Sequence, residues 1–356
     1  MSQSKEGGTA AAAAEQLGAM SRGESVETKE NETENNEDAA EENGTSTKMC
    51  SACGKKSDTA KKCTACKCVS YCDKECQNKH WKEHKKECKR IKKILGKRGG
   101  KLDLGTEKDL GGPLPDLPPR EECPICMQVL PIHENLHAYF PCCGKAICCG
   151  CDHQHLIKCG NGRTCAFCRM ESAKSDEEIL ARALKRVERN DPRALLNTAM
   201  SYGYGELGLP VDHTKCIELL RESASLGFPP AQCQLGNFYY NGEMGLEQNG
   251  EEALKYYKEA AESGDLIAGH NFANTARRSG DHVAAMRHLR LSASGGFRSS
   301  MNSLIAYFEY GWLHHGDLAE TLQAFYRSRA EVKSKECNKY IAYLKETGEY
   351  KEEYEC

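Results

Sequence analysis

The sequence lacks an apolar run long enough to cross a bilayer, and it has no apolar core of signal-peptide length near its first residue. A membrane span needs roughly 18 or more apolar residues, and a secretory signal needs a shorter apolar core. These absences predict an intracellular protein, cytoplasmic or nuclear, without membrane contact. An intracellular setting is reducing, so disulfides are not expected to hold the fold together.

The chain also has little net charge. Its 49 basic and 52 acidic residues give a formal net charge of −3, so no global field favours nucleic acid as a partner. The charges are nevertheless segregated: residues 24–42 carry nine acidic residues against one lysine, and residues 79–101 carry eleven basic residues against two glutamates. Trp81 is the single interleaved aromatic in the basic run, which argues against nucleic-acid binding. A nuclear address and a solvated helix face both remain open for that run.

Cysteine is abundant, with 22 residues in 356. In a reducing compartment, paired Cys-x-x-Cys units with interspersed histidines indicate metal sites. The first cluster has the spacing C-x2-C-x9-C-x2-C-x5-C-x3-C-x7-H-x3-C, from Cys50 to Cys88. Eight such donors satisfy two tetrahedral zinc ions. His80 competes with His84 for the histidine position.

This stretch resembles the MYND-type zinc finger, and Tyr71, Gln77, Trp81 and Lys85 extend the match beyond the ligands. The family's histidine follows the tryptophan by three residues, which favours His84 over His80. The resemblance implies two interleaved zinc sites, the first made of Cys50, Cys53, Cys72 and Cys76, and the second of Cys63, Cys66, His84 and Cys88. MYND fingers are typically peptide readers, often of Pro-x-Leu-x-Pro ligands.

A Gly/Pro-rich stretch between the clusters is predicted to be an extended linker. Within it, Pro115, Leu117 and Pro119 satisfy the Pro-x-Leu-x-Pro pattern. One hypothesis is that these residues are an autoligand, which occupies the groove of the first finger and competes with outside peptides. The alternative is a stiff spacer between two zinc modules.

The second cluster opens with Cys123–Cys126 and closes with Cys165–Cys168. Between them, Cys148 and Cys151 repeat the two-residue spacing, which leaves the adjacent pair Cys142 and Cys143 for the remaining ligands. Gly144 can adopt backbone conformations that are strained for other residues, which allows the two preceding side chains to turn toward one ion. Cys149 is then not a ligand. Four nearby histidines could each replace a thiolate: His133, His137, His153 and His155.

The pattern resembles a RING finger of the all-cysteine kind. The resemblance implies a cross-brace, with Cys123, Cys126, Cys148 and Cys151 on one zinc ion and Cys142, Cys143, Cys165 and Cys168 on the other, so that the chain holds four zinc ions in all. RING fingers act mainly as ubiquitin ligases without a covalent intermediate. By position, Ile125 matches the apolar contact to the ubiquitin-conjugating enzyme, and Arg169 matches the cation that bridges enzyme and ubiquitin.

The remainder of the chain has helical periodicity. Ser175 and Glu178 have capping-box spacing, and an apolar face follows. Beyond residue 192, a pattern of small residues, glycine and amphipathic helix recurs at 32 to 37 residues, as between Gly227, Gly264 and Gly296. Such a period predicts stacked helix pairs, because one pair cannot cover its own apolar face. These copies resemble Sel-1-like repeats, relatives of the tetratricopeptide repeat. About four repeats are expected from 194 to 330, with the last helices, 317–347, as a cap.

The sequence therefore predicts a multidomain protein, in which two small zinc-stabilised α+β fingers precede an all-α repeat solenoid. The predicted parts are a disordered acidic tail (1–47), the MYND-type finger (48–92), the linker (93–120), the RING-type finger (121–172), a capping helix (175–191), the repeats with a C-terminal cap (192–347) and a tail (348–356). The predicted function is that of a ubiquitin ligase whose repeats and first finger recruit protein substrates or Pro-rich peptides. A non-catalytic adaptor is the alternative.

Overall fold

The computed structural model describes residues 48–99, 114, 116–133, 136–159 and 164–350. The predicted acidic tail, Pro115 and most of the predicted C-terminal tail lie outside the described residues. No helix in the described part of the chain is long and apolar enough to cross a membrane.

The first cysteine cluster folds into two short hairpins and a long helix. Strand β1 (Lys48–Met49) pairs with β2 (Lys56–Ser57), and β3 (Lys61–Lys62) pairs with β4 (Ser70–Tyr71), both antiparallel. Helix α1 (Lys74–Lys97) begins at the N-cap Asp73, whose side chain accepts a hydrogen bond from Cys76 N at 2.7 Å. The helix continues past residue 92, where the linker was predicted to start, because its last turns bury apolar side chains against the repeats.

The second cluster is built on one hairpin and one helix. Strand β5 (His137–Phe140) pairs antiparallel with β6 (Lys145–Cys148), and helix α2 (Cys149–Cys159) follows directly. The tight connection between the strands passes through Gly144 at φ +71°. A Cβ at this position would lie 2.8 Å from Asp191 Oδ2, so both the backbone and the available space call for glycine.

Helix α3 (Asp176–Val187) begins where the capping signal predicts, with Glu178 N donating to Ser175 Oγ at 3.3 Å. Nine further helices follow in the described chain. They are α4 (Pro192–Tyr204), α5 (His213–Ser225), α6 (Pro229–Asn241), α7 (Gly250–Glu262), α8 (Leu266–Arg278), α9 (His282–Ser294), α10 (Arg298–Glu309), α11 (His315–Glu331) and α12 (Lys335–Thr347).

Three pairs of successive helices pack closely, α4 with α5, α6 with α7 and α8 with α9. Small residues permit this close approach: a Cβ at Gly236 on α6 would lie 2.6 Å from the Tyr257 ring on α7. Helix α11 packs more extensively on α9 than on its neighbour α10. The number of about four repeats and the cap over 317–347 stay predictions.

The first finger does not form a core of its own. Its buried residues, such as Val69 and Ile91, belong to one apolar cluster with Met301, Phe308 and Leu322 from helices α10 and α11. The second finger has a small separate cluster around Leu130 and Ile147. The first finger is therefore packed on the last repeats, far from it in sequence.

Candidate metal centres

Four groups of donor atoms lie close together in the described chain, and within each group the donor atoms are all within 4.8 Å of one another. The groups are Cys50, Cys53, Cys72 and Cys76; Cys63, Cys66, His84 and Cys88; Cys123, Cys126, Cys148 and Cys151; and Cys142, Cys143, Cys165 and Cys168. These are the same four sets that the two resemblances imply. Each group thus combines two pairs of donor residues that are far apart in the sequence.

The spacing of the sulfurs fits zinc. Two thiolates on one tetrahedral ion, each about 2.3 Å from the metal, lie roughly 3.8 Å apart. The Cys53–Cys72 and Cys63–Cys88 sulfurs are both 3.8 Å apart, and the Cys126–Cys148 sulfurs are 3.9 Å apart. Thiolate and imidazole donors are also the ones that zinc prefers. Zinc is the metal that these residues suit.

Four of the Cys-x-x-Cys turns close in the same way, whereas Cys148 and Cys151 lie at the start of α2. The residue after the second cysteine adopts the left-handed conformation, at Gly54, Lys67, Met127 and Arg169 with φ between +56° and +71°. Its backbone N–H donates to the carbonyl of the first cysteine, for example from Met127 to Cys123 at 2.8 Å. This turn directs both sulfurs to one point, which is why two-residue spacing is so informative.

His84 is held by the repeat array as well as by its own finger. Its Nε2 lies 3.3 Å from Cys66 Sγ, and its Nδ1 lies 3.2 Å from the Tyr326 hydroxyl on α11. Tyr326 in turn donates to Glu87 at 3.1 Å, and Glu87 pairs with Arg298 at 2.9 Å. A metal-binding histidine whose other nitrogen is fixed in this way keeps the right ring orientation. Tyr326 and Arg298 could not be predicted from the sequence, because no local pattern links them to His84.

His80, the rival ligand, has a different environment. Its Nδ1 lies 3.0 Å from the Tyr71 hydroxyl, and it is outside all four donor groups of the described chain. Burial lowers the pKa of His80 to about 4, which keeps the ring neutral. The ring stacks on His84 with centroids 5.7 Å apart, so His80 packs beside the metal centre.

Cys68, which no ligand pattern includes, joins the finger to the repeats. Its Sγ lies 3.3 Å from His315 Nε2 on α11, and Gln323 donates to its carbonyl oxygen at 2.8 Å. Cys68 is only 1% exposed. It therefore has a structural role at the boundary between the first finger and α11.

In the second cluster, the adjacent cysteines contribute to one group. Cys142 Sγ lies 3.4 Å from Cys168 Sγ, and Cys143 Sγ lies 3.6 Å from Cys165 Sγ. Cys149 belongs to no donor group of the described chain. Its assignment as a non-ligand stays a prediction.

The four histidines near the second cluster lie outside the donor groups found among the described residues. His137 Nε2 bonds to the Pro131 carbonyl at 2.7 Å, and His155 Nε2 bonds to the Thr164 carbonyl at 2.6 Å. His153 packs against the ring of Tyr343 on α12, with centroids 4.5 Å apart, and His133 packs against Phe297 at 5.9 Å. These imidazoles contact other parts of the protein and do not take the place of a cysteine in a donor group.

Ile125 and Arg169 line the same groove, whose volume is about 720 Å³. Ile125 is 46% exposed, and Arg169 is exposed beside it. The groove is also lined by Lys333, just before α12, and by Lys335 and Lys339 in its first turns. The structure thus brings the two predicted contact residues together at one open surface.

The linker hypothesis has a different outcome. Pro115 lies outside the described residues, and Leu117 and Pro118 contact the repeats. The Leu117 side chain lies next to Gly295, and Pro118 lies next to Gly264. Pro119 lines a cavity with residues of the repeats and the second finger. The structure therefore places this part of the linker on the repeat array.

Comparison with known families identifies two of the modules. Residues 50–88 match the family model of the MYND finger, and residues 192–228 and 229–265 match the Sel1 repeat. These ranges correspond to the first cysteine cluster and to the pairs α4–α5 and α6–α7. The expectation of a MYND-type finger and of Sel1-type repeats is confirmed.

Two curated proteins resemble short stretches of the chain. SET domain-containing protein 14 of Caenorhabditis elegans is 49% identical over 43 residues, which are 12% of this chain and 10% of that protein. SET domain and MYND-type zinc finger protein 6 of Schizosaccharomyces pombe is 42% identical over 45 residues, which are 13% of this chain and 9% of that protein. The chain thus covers about a tenth of the length of the relatives it matches.

Two solved structures were also found to be similar. A protective antigen of uropathogenic Escherichia coli with an SLR fold is 26% identical, with a TM-score of 0.37, and the match covers 48% of this chain and 36% of that one. A Sel1 repeat protein from Oxalobacter formigenes is 24% identical, with a TM-score of 0.33, and the match covers 35% of this chain and 96% of that one. The family matches, together with the donor groups, describe a zinc-binding chain that carries modules of the protein-interaction type.

Proposed function

We propose that this chain is a RING-type ubiquitin ligase, in which the second cysteine cluster binds a ubiquitin-conjugating enzyme and the repeats and first finger hold the protein to be modified. The observation that carries the proposal is the interleaving of the second cluster, with Ile125 and Arg169 on the loops that the two centres shape. Each loop ends in a left-handed residue, Met127 or Arg169, so both loops have defined conformations.

Four zinc ions belong to this proposal, one for each donor group. In the second cluster, zinc supplies no reacting group. It cross-links the loops of a module whose buried apolar cluster is small. The protein's own contribution is to present Ile125 and Arg169 in fixed positions.

In the proposed mechanism, the chain accelerates the reaction by positioning the reactants. The amine of a substrate lysine attacks the thioester that links ubiquitin to the conjugating enzyme; an isopeptide bond forms and the enzyme's thiol leaves. Ile125 provides an apolar contact for the enzyme, and the Arg169 guanidinium donates several hydrogen bonds from one planar group. Holding the thioester in a reactive pose accelerates the attack without a covalent intermediate on this chain.

The test is ubiquitin transfer by the full chain with activating enzyme, a panel of conjugating enzymes and ubiquitin. Ile125→Ala and Arg169→Ala should each lower transfer by at least about tenfold, the size expected for a hot-spot contact. Val211→Ala is the control, because Val211 is 60% exposed in the loop between α4 and α5. No transfer by the wild-type chain with any conjugating enzyme would refute the ligase.

A non-catalytic adaptor is the second candidate, and one observation favours it. Helix α12 packs tightly on α2, since a Cβ at Gly150 would lie 2.7 Å from Cys337 N. The lysines at the start of α12 then line the groove that a folded enzyme would have to enter. In this function the fingers and repeats only assemble other proteins.

A further inference from the structure

A short piece of the linker, residues 116–120, lies along one edge of the repeat array. Pro118 Cγ is 3.3 Å from the place where a Cβ on Gly264 would lie, and Leu117 Cδ1 is 3.0 Å from that place on Gly295. Gly264 is in the loop between α7 and α8, and Gly295 is in the loop between α9 and α10. The segment therefore crosses two consecutive loops that join helix pairs.

The two glycines make room for apolar side chains. Gly264 has φ +93°, a conformation that favours glycine, and any side chain there would meet Pro118. Gly295 has an ordinary φ of −74°, so its backbone alone does not demand glycine. A Cβ there would lie 2.5 Å from Leu266 and 3.0 Å from Leu117, so the missing side chain leaves space for both leucines.

Arg120 fixes the polar end of the segment. Its guanidinium donates to the Gly295 carbonyl at 3.2 Å and to Ser328 Oγ at 3.3 Å. A further hydrogen bond reaches the Leu130 carbonyl of the second finger at 2.8 Å. The loop edge thus offers an apolar surface for a Leu-Pro pair and oxygen acceptors for an arginine.

The segment, this edge and the second finger together line a cavity of about 520 Å³. Phe228 and Pro229 line it, at the equivalent loop one repeat earlier. No atom of the described residues lies within 4 Å of a Cβ placed on Gly227 in that loop. His137 of the second finger also lines the cavity.

We propose that this loop edge, from Phe228 to Gly295, binds extended Leu-Pro segments of partner proteins, and that residues 116–120 occupy part of it as a tethered competitor. An extended Pro-rich peptide loses little conformational freedom on binding, so a shallow edge of this kind is sufficient for recognition. The tethered segment competes at an effective concentration on the order of millimolar. Removing it should open the edge to a peptide in trans.

The probe is a fluorescein-labelled peptide with the sequence of residues 114–122, titrated with the full chain and followed by fluorescence anisotropy. The receptor variant is Leu117→Asp/Pro118→Asp/Arg120→Ala, which removes both the apolar contacts and the arginine hydrogen bonds of the chain's own segment. The peptide should bind this variant at least about tenfold more tightly than the wild-type chain, because the tethered competitor is gone. A peptide carrying the same three changes should not bind.

A second receptor change tests the place of binding. Adding Ser328→Lys to this triple variant puts a cation beside the place where the peptide's arginine would bind, and the peptide's affinity should fall about tenfold, as for a lost charge-assisted contact. Circular dichroism monitors folding, and Pro118→Asp alone is a milder receptor because Pro118 is exposed. Equal binding to wild type and folded variants, no binding to either, or no effect of Ser328→Lys would overturn the proposal.

Discussion

The His84 ring is fixed on both of its nitrogens by residues from different parts of the chain. Nε2 faces Cys66 of the first finger, and Nδ1 faces the Tyr326 hydroxyl of α11. If Nε2 coordinates zinc, Nδ1 carries the ring proton and donates a hydrogen bond to the Tyr326 oxygen. The Tyr326 hydroxyl then donates a hydrogen bond to Glu87, so it acts as both acceptor and donor.

Removing the Tyr326 hydroxyl should weaken zinc binding by the first finger. Tyr326→Phe keeps the ring but deprives His84 Nδ1 of its acceptor, and such outer contacts change metal affinity by about 10- to 100-fold. We expect at least about a tenfold loss, measured as zinc retained per chain in a titration with a competing chelator.

Tyr307→Phe is the matched control for this prediction. Tyr307 is also buried on the repeats, at 7% exposure, but its hydroxyl has no hydrogen-bond partner among the described residues. Its zinc retention should equal that of the wild type. If Tyr326→Phe also retains zinc like the wild type, the second contact of His84 does not support the metal.

The grouping of the donor residues could be predicted from spacing and resemblance, and the surroundings of these groups could not. A Cys-x-x-Cys turn positions two sulfurs locally, so spacing alone selects Cys123 with Cys126 or Cys165 with Cys168. The choice of Cys148 over Cys149 follows from the same rule. Tyr326 and His315 act across more than 240 residues of sequence, and no local pattern encodes such contacts.

Among the helices, the contact of α6 with α7 depends on a residue without a side chain. Gly236→Ala would place a Cβ 2.6 Å from the Tyr257 ring. That ring cannot easily move, because Tyr257 is 2% exposed and its hydroxyl donates to Asn237 at 2.9 Å. Overpacking of this kind costs about 1–3 kcal/mol of unfolding free energy, to be measured by urea denaturation with circular dichroism.

Gly250→Ala is the comparison within the same pair of helices. Gly250 is the first residue of α7, and no atom of the described residues lies within 4 Å of a Cβ placed there. Its unfolding free energy should stay within about 0.5 kcal/mol of the wild type, as for most surface changes. Equal effects of the two substitutions would mean that the close approach at Gly236 does not limit the packing.

The elements themselves were partly predictable. Ser175 marks the start of α3, and the recurring glycines mark the helix pairs, because capping and left-handed turns are local requirements. The first finger was predicted to end at residue 92, although a solvated helix face was one of the alternatives left open for the basic run. Helix α1 continues to Lys97, but Ile91, Ile94 and Leu95 are buried against the repeats, and no local pattern predicts that contact.

On the scale of the whole molecule, the described residues from 48 onward pack as one unit. The first finger shares an apolar core with α10 and α11, and Arg98 at the end of α1 stacks on Phe308 with its guanidinium 4.4 Å from the ring centre. The second finger touches both ends of the repeat array, through Tyr139 with Asp191 and through α2 with α12. Composition and spacing predicted separate modules joined by a linker. The packing of both fingers on the repeats depends on contacts between residues far apart in sequence, which composition and spacing do not reveal.

Counting zinc ions in the intact chain tests the two-ion cross-brace of the second cluster most directly. Native mass spectrometry should find four ions per wild-type chain, one for each donor group. Cys149→Ser should keep all four, because Cys149 lies outside the donor groups, and Cys143→Ser should lose one. A zinc ion lost from Cys149→Ser, or four ions retained by Cys143→Ser, would contradict the cross-brace.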